Sequence, residues 1–119
     1  MAKDKKQTGD EGEDLAEKFL IEKGYEIVLR NYRYGHGEID IIAIDDNVLV
    51  FVEVKSRHNL DFGYPEEQIT PGKQKQIRKI ADAYLWENEI ENQDCRIDVI
   101  GILFQGKKDP KITHIIDAF

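Results

Sequence analysis

The stretch GEIDIIAIDDNVLVFVEVK, Gly37 to Lys55, decides the fold. Two apolar runs, Glu38–Ile44 and Val48–Lys55, flank the turn formers Asp45-Asp46-Asn47, which is the pattern of a β-hairpin. Most of both runs is apolar on both faces. The hairpin is therefore expected centrally in a sheet, with helices covering at least one side. An unpaired charge inside such a run is costly, and three need an explanation: Asp40, Glu53 and Lys55.

Side chains alternate along a strand, so Glu53 and Lys55 share one face while Val52 and Val54 take the other. A two-residue turn at Asp46-Asn47 sets Asp45 against Val48 and, counting back, Asp40 against Glu53 on that face. A three-residue loop would oppose Asp40 to Val52 and separate the carboxylates. In the first register the two acids repel unless one is protonated or a cation lies between them. Oxygen-only ligands suit Mg²⁺, or Mn²⁺, better than zinc. Lys55 beside them can assist an attacking water or neutralise charge developing on a phosphate oxygen, which is the equipment for phosphodiester hydrolysis. A cross-strand ion-pair network is the plainer account of the same three residues.

Outward from the hairpin, Leu15, Ala16, Phe19 and Leu20 recur at helical spacing and predict a helix over Asp10–Lys23, stopped at Gly24. Glu13 shares its inward face and is a candidate further ligand, or simply a favourable charge near the helix N-terminus. Tyr25–Leu29 reads as a strand and Arg30–Gly37 as a basic, aromatic loop. After a loop from Ser56 to Thr70, Thr70-Pro71 opens a second helix carrying Ile77, Ile80, Ala81, Tyr84 and Leu85 on one face. Arg96–Phe104 and Ile112–Ile116 predict two more strands joined by a turn at Gly106–Pro110. Asp98 either supports the acidic site or pairs with Arg96. The order is α-β-β-β-α-β-β, a mixed five-stranded sheet flanked by helices. It forms one domain over residues 10–119 behind a flexible polar tail, 1–9.

The chain has 119 residues, 17 Lys+Arg against 24 Asp+Glu, and a formal net charge of −7. That length builds a core without disulfides or structural metal. One cysteine, Cys95, forms no intramolecular bridge, and no stretch reads as a leader or membrane span. A reducing cytoplasm and no membrane partner are expected. The acidic balance speaks against nucleic acid at first sight. Yet Lys55 to Lys79 holds six cations, Lys55, Arg57, Lys73, Lys75, Arg78 and Lys79, against three acids. Lys73, Lys75 and Arg57, with Arg30 and Arg33 beside Tyr32 and Tyr34, are candidate nucleic-acid contacts.

The spacing of Gly12-Glu13-x-x-Ala16, Arg30-Asn31, Gly37-Glu38-Ile39-Asp40, Phe51-Val52-Glu53-Val54-Lys55-x-Arg57, the lysines opening the second helix and Arg96-Ile97-Asp98-Val99 resembles the YraN-like family. The resemblance runs from Gly12 to Phe119, and its most specific parts are GEID and FVEVKSR. That family is similar to the restriction-endonuclease-like PD-(D/E)xK nucleases and, among them, to archaeal Holliday-junction resolvases. The resemblance implies a restriction-endonuclease-like α/β fold with Asp40, Glu53 and Lys55 as catalytic triplet and Glu13 as a helix-borne acid. Ile39 stands where that superfamily's motif has proline. The expectation is a Mg²⁺- or Mn²⁺-dependent nuclease acting on DNA ahead of RNA, branched or structured DNA included, with Asp40, Glu53 and Glu13 holding the metal. Cutting two strands symmetrically favours a homodimer. The rival expectations are a binding or partner-recruiting module of the same fold without hydrolysis, and a protein-only interaction domain.

Overall fold

A computed structural model of the chain describes residues 5–119. Its elements are α1 (Lys5–Glu22), β1 (Glu26–Tyr34), β2 (Gly37–Asp45), β3 (Val48–Arg57), a 3₁₀ turn (Pro65–Glu67), α2 (Pro71–Glu87), β4 (Cys95–Gln105) and β5 (Lys108–Ile115). The five strands form one mixed sheet in the order β1-β2-β3-β4-β5, with β3 and β4 parallel and the other pairs antiparallel. This is the α-β-β-β-α-β-β order and the mixed five-stranded sheet flanked by helices that the sequence predicts. Among the described residues, no helix is long and apolar enough to cross a membrane.

Each face of the sheet carries one helix. On one side Ala16 and Leu20 of α1 pack on Ile41, Ala43, Val50, Val52, Ile100 and Ile102. On the other, Ile77, Ile80, Ala81 and Tyr84 of α2 pack on Ile39, Ile42, Leu49, Phe51 and Ile97. The hairpin at the centre is apolar on both faces because both faces are covered. Its turn is the two-residue form: Asp46 and Asn47 have φ of 46° and 72°, and Asp45 pairs with Val48. Thr70 caps α2, its Oγ1 accepting from Lys73 N at 3.2 Å, with Pro71 at the first helical position.

Three boundaries differ from the sequence expectation. Of the flexible tail expected over 1–9, residues 1–4 lie outside the described residues, while Lys5–Gly9 are helical, so α1 starts five residues before Asp10. A stretch without apolar residues leaves no apolar periodicity to read, yet Lys and Gln are good helix formers. Arg30–Tyr34 is strand rather than loop. β1 is an edge strand with one free side and half-covered faces, so it tolerates the polar residues that mimic a loop. Finally, β5 starts at Lys108, its polar first half being largely exposed.

Candidate active site

The site lies where the sheet opens. Pairing of β2 with β3 runs from Asp45↔Val48 to Ile41↔Val52 and stops. Beyond that point β2 stays with β1 as far as Gly37, and β3 stays with β4 as far as Arg57. The two strands leave a fork at the level of Asp40 and Glu53. Val54 N–H, which has no β2 carbonyl to meet there, donates to Asp40 Oδ2 at 2.8 Å.

A slip in side-chain alternation aims Asp40 into this fork. Ile41 belongs to the α1 face, but Ile39, which strict alternation would place beside it, packs on the α2 face with Ile42. On β1, between the Arg30↔Ile41 and Tyr32↔Ile39 pairs and so at the level of Asp40, Asn31 has a left-handed φ of 54°. Its Nδ2 donates to Glu13 Oε1 at 2.8 Å. The neighbouring Arg30 reaches Asp14 (2.8 Å), Glu17 (3.3 Å) and Glu13 (3.4 Å) on α1. Gly12 lets α1 come this close: a Cβ there would stand 1.8 Å from Ser56 Oγ and 3.1 Å from Ser56 Cβ.

As a result, one carboxylate oxygen each of Glu13, Glu38 and Asp40 lies within 4.8 Å of the others. Glu53 approaches from the α2 side, with Lys73 Nζ 3.8 Å from its Oε1. Asp40 and Glu53 are 8% and 7% exposed. Burial first, and then the Glu53 charge, pushes the Asp40 carboxyl up to about 8 against the pull of the Val54 N–H. Burial also pushes Glu53 up to about 7, although Lys73 and Lys55 draw it down. Lys55 is pushed below the ordinary lysine range by burial and then by Arg57. Among the described residues Lys55 makes no ion pair within 4 Å. An oxygen-only donor set that burial makes reluctant to ionise fits a hard divalent cation, which would stabilise the charged carboxylates.

The structure thus gathers Glu13, Asp40, Glu53 and Lys55, and it adds Glu38, which is not among the site residues expected from the sequence. Its position beside Asp40 follows from the alternation slip, and the only sequence signal is its place within the GEID motif. The expected nucleic-acid contacts divide. Lys73 borders the cluster, Lys75 is exposed on the first turns of α2, and Arg57 Nη1 donates to Ser56 O at 2.8 Å at the end of β3. Arg30 is engaged with α1, whereas Arg33 is exposed beside Glu38 at 3.4 Å. Tyr32 is no free stacking surface, since its ring meets Tyr84 edge-on at 5.1 Å and its hydroxyl donates to Glu87.

Asp98 belongs to another network, on the α1 face of β4. Fully buried, it accepts from Arg96 Nε at 2.9 Å and from Asp117 N at 3.0 Å, and His114 Nε2 lies 2.8 Å away. Lys23 Nζ, a donor only, stands 2.9 Å from His114 Nδ1, so the ring presents its Nε2–H to Asp98. Burial alone would raise the Asp98 carboxyl, but the His114, Arg96 and Asp117 hydrogen bonds outweigh it and hold it low.

Fold and site define an α/β domain with a carboxylate cluster and a lysine at a fork in a mixed five-stranded sheet. Residues 12–102 match the Uncharacterised protein family UPF0102, the YraN-like family, and the chain belongs to it. A UPF0102 protein of Prosthecochloris aestuarii is 49% identical over 116 residues, covering 93% of this chain and 91% of that one. One from Chlorobium limicola is 47% identical over 124 residues, covering 100% and 96%. Among solved structures, Pyrococcus furiosus SfsA in complex with Ca²⁺ is similar with a TM-score of 0.46 and 17% identity, over 94% of this chain and 64% of that chain.

Proposed function

We propose that this protein is a divalent-metal-dependent nuclease that hydrolyses phosphodiester bonds in DNA. The observation that carries the reading is the convergence of Glu13, Glu38, Asp40 and Glu53 with Lys55 at the open end of β2 and β3, where burial opposes the charge of Asp40 and Glu53. Asp40, Glu53 and Glu13, with Glu38 as a further candidate, would hold Mg²⁺ or Mn²⁺. Such an ion supplies Lewis-acid polarisation of the phosphate and a more acidic water. The Val54 N–H fixes the Asp40 carboxylate, Asn31 and Arg30 fix Glu13, and Lys73 steadies Glu53. Lys55, which has no ion pair among the described residues, hydrogen-bonds the attacking water or a phosphate oxygen and offsets charge gathering there. Lys73, Lys75 and Arg57 take the flanking phosphates. The proposed setting is the cytoplasm, and a homodimer would cut two strands of structured DNA.

Purified protein incubated with branched, single-stranded and duplex DNA and Mg²⁺ or Mn²⁺ tests the reading. Cleavage that disappears in Glu53→Ala and Lys55→Ala is expected. Undiminished cleavage by both variants overturns it. DNA binding that depends on Lys73 and Lys75 but ignores metal and Asp40, without cleavage, supports the binding-module alternative.

A further inference from the structure

The loop between β3 and the 3₁₀ turn presents an aromatic ring to solvent from a fixed backbone. Phe62 is 80% exposed. Leaving such a ring in water forgoes the stabilisation that burying a phenylalanine brings. Around it, however, the loop is pinned. His58 stacks on Phe104 at 5.0 Å, Gly63 N–H donates to Leu60 O at 3.0 Å, and Gln68 Nε2 donates to the carbonyls of Phe62 and Tyr64. Lys111 Nζ lies over the Tyr64 ring at 5.0 Å. The 3₁₀ turn is seated on β4, where Gly101 has no side chain to hold it off: a Cβ would stand 2.8 Å from Glu66 N.

This seat adjoins the site. Gly101 pairs with Lys55, and the next row on that face is Arg57, Leu103 and Lys111. The seat of the 3₁₀ turn is thus joined, through the Gly101–Lys55 pair, to the strand that carries Glu53, and the row beyond it holds Arg57 and Lys111 on either side of Leu103, in a chain of net charge −7. Cations along a strand path with a ring beside them match a single-stranded nucleic acid, whose unpaired bases offer π faces that a duplex keeps stacked.

We propose that Phe62 is a substrate-selecting residue that stacks on an unpaired DNA base, so that single-stranded segments bind in preference to continuous duplex. This rests on the nucleic-acid reading above but not on hydrolysis. The test measures equilibrium binding of the full chain in an Asp40→Asn background. Its probes are a single-stranded oligonucleotide carrying 2-aminopurine and the same oligonucleotide in a blunt duplex. Phe62→Ala is expected to weaken single-strand binding by about 5- to 150-fold, the worth of one stacked base, and to abolish quenching of the probe base. Duplex binding should change little, and Phe62→Trp should restore both signals. Equal losses on the two DNAs, or no loss on either, overturn the role of Phe62. No binding of either DNA overturns the nucleic-acid reading as well, whereas Phe62-dependent binding by a wild-type protein that never cleaves overturns hydrolysis alone.

Discussion

Asp40→Asn separates the cost of the site from its use. A carboxyl whose folded pKa is raised binds its proton more tightly in the folded protein. Its contribution to stability is therefore complete below the ordinary value of 3.8 and is lost as pH rises through about 8. At about 1.4 kcal/mol per pH unit this loss reaches at most about 6 kcal/mol, and the remaining acids and solvent relaxation reduce it. The amide introduced by Asp40→Asn has no such proton to lose, and its Oδ1 can still accept the Val54 N–H. Thermal unfolding in chelator should show the variant gaining at least about 2 kcal/mol over wild type between about pH 5 and about pH 8.5. That gain corresponds to a rise in Tm difference of about 6–12 °C for a domain of this size. Mn²⁺ should return wild type toward the variant at the alkaline end. Parallel pH profiles for the two proteins, or a variant less stable at the alkaline end, would refute the claim that ionised Asp40 is destabilising.

Other substitutions probe the parts that build the fork. Gly12→Ala forces Ser56 away from α1 and should cost about 1–3 kcal/mol by denaturant titration while weakening Mn²⁺ binding through displaced Glu13. Glu38→Gln should lower Mn²⁺ affinity in calorimetry with little change in stability, and unchanged affinity would remove Glu38 from the donor set. Asp98→Asn leaves Arg96 and His114 without their buried anion and should cost about 3–5 kcal/mol. Because the Asp98 pKa is depressed, the stability it confers is present above the ordinary value of 3.8 and is lost as pH falls below it, so the variant should unfold less steeply in acid.

The hairpin is legible because its information is local. Asp46 and Asn47 tolerate the left-handed backbone of a two-residue turn, and that turn fixes the count of Ile41 against Val52. The second helix is equally readable from Thr70-Pro71 and its apolar spacing. What escapes depends on partners remote in sequence. Arg30–Tyr34 is strand because β2 lies beside it, and its polarity reflects an edge position and contacts with α1. Counting places Asp40 opposite Glu53, and the register agrees as far as Ile41. The parting of the strands and the reversal at Ile39 instead set Asp40 among Glu13 and Glu38, with Glu53 reaching in from the other face. Strict alternation contains no sign of a left-handed Asn31 on a neighbouring strand.

The parting of β2 and β3 also divides the sheet into a two-stranded flap, β1 with β2, and a three-stranded body, β3 to β5. Five residue pairs, ending at Ile41↔Val52, hinge one to the other. Past them the Asp40 to Val54 hydrogen bond is a clasp across the gap. An ion shared by Asp40 and Glu38 on the flap and Glu53 on the body would rivet the open end, so loading of the site and closure of the sheet become one event. Exchange of the Val54 amide with solvent would then report metal occupancy without any substrate present.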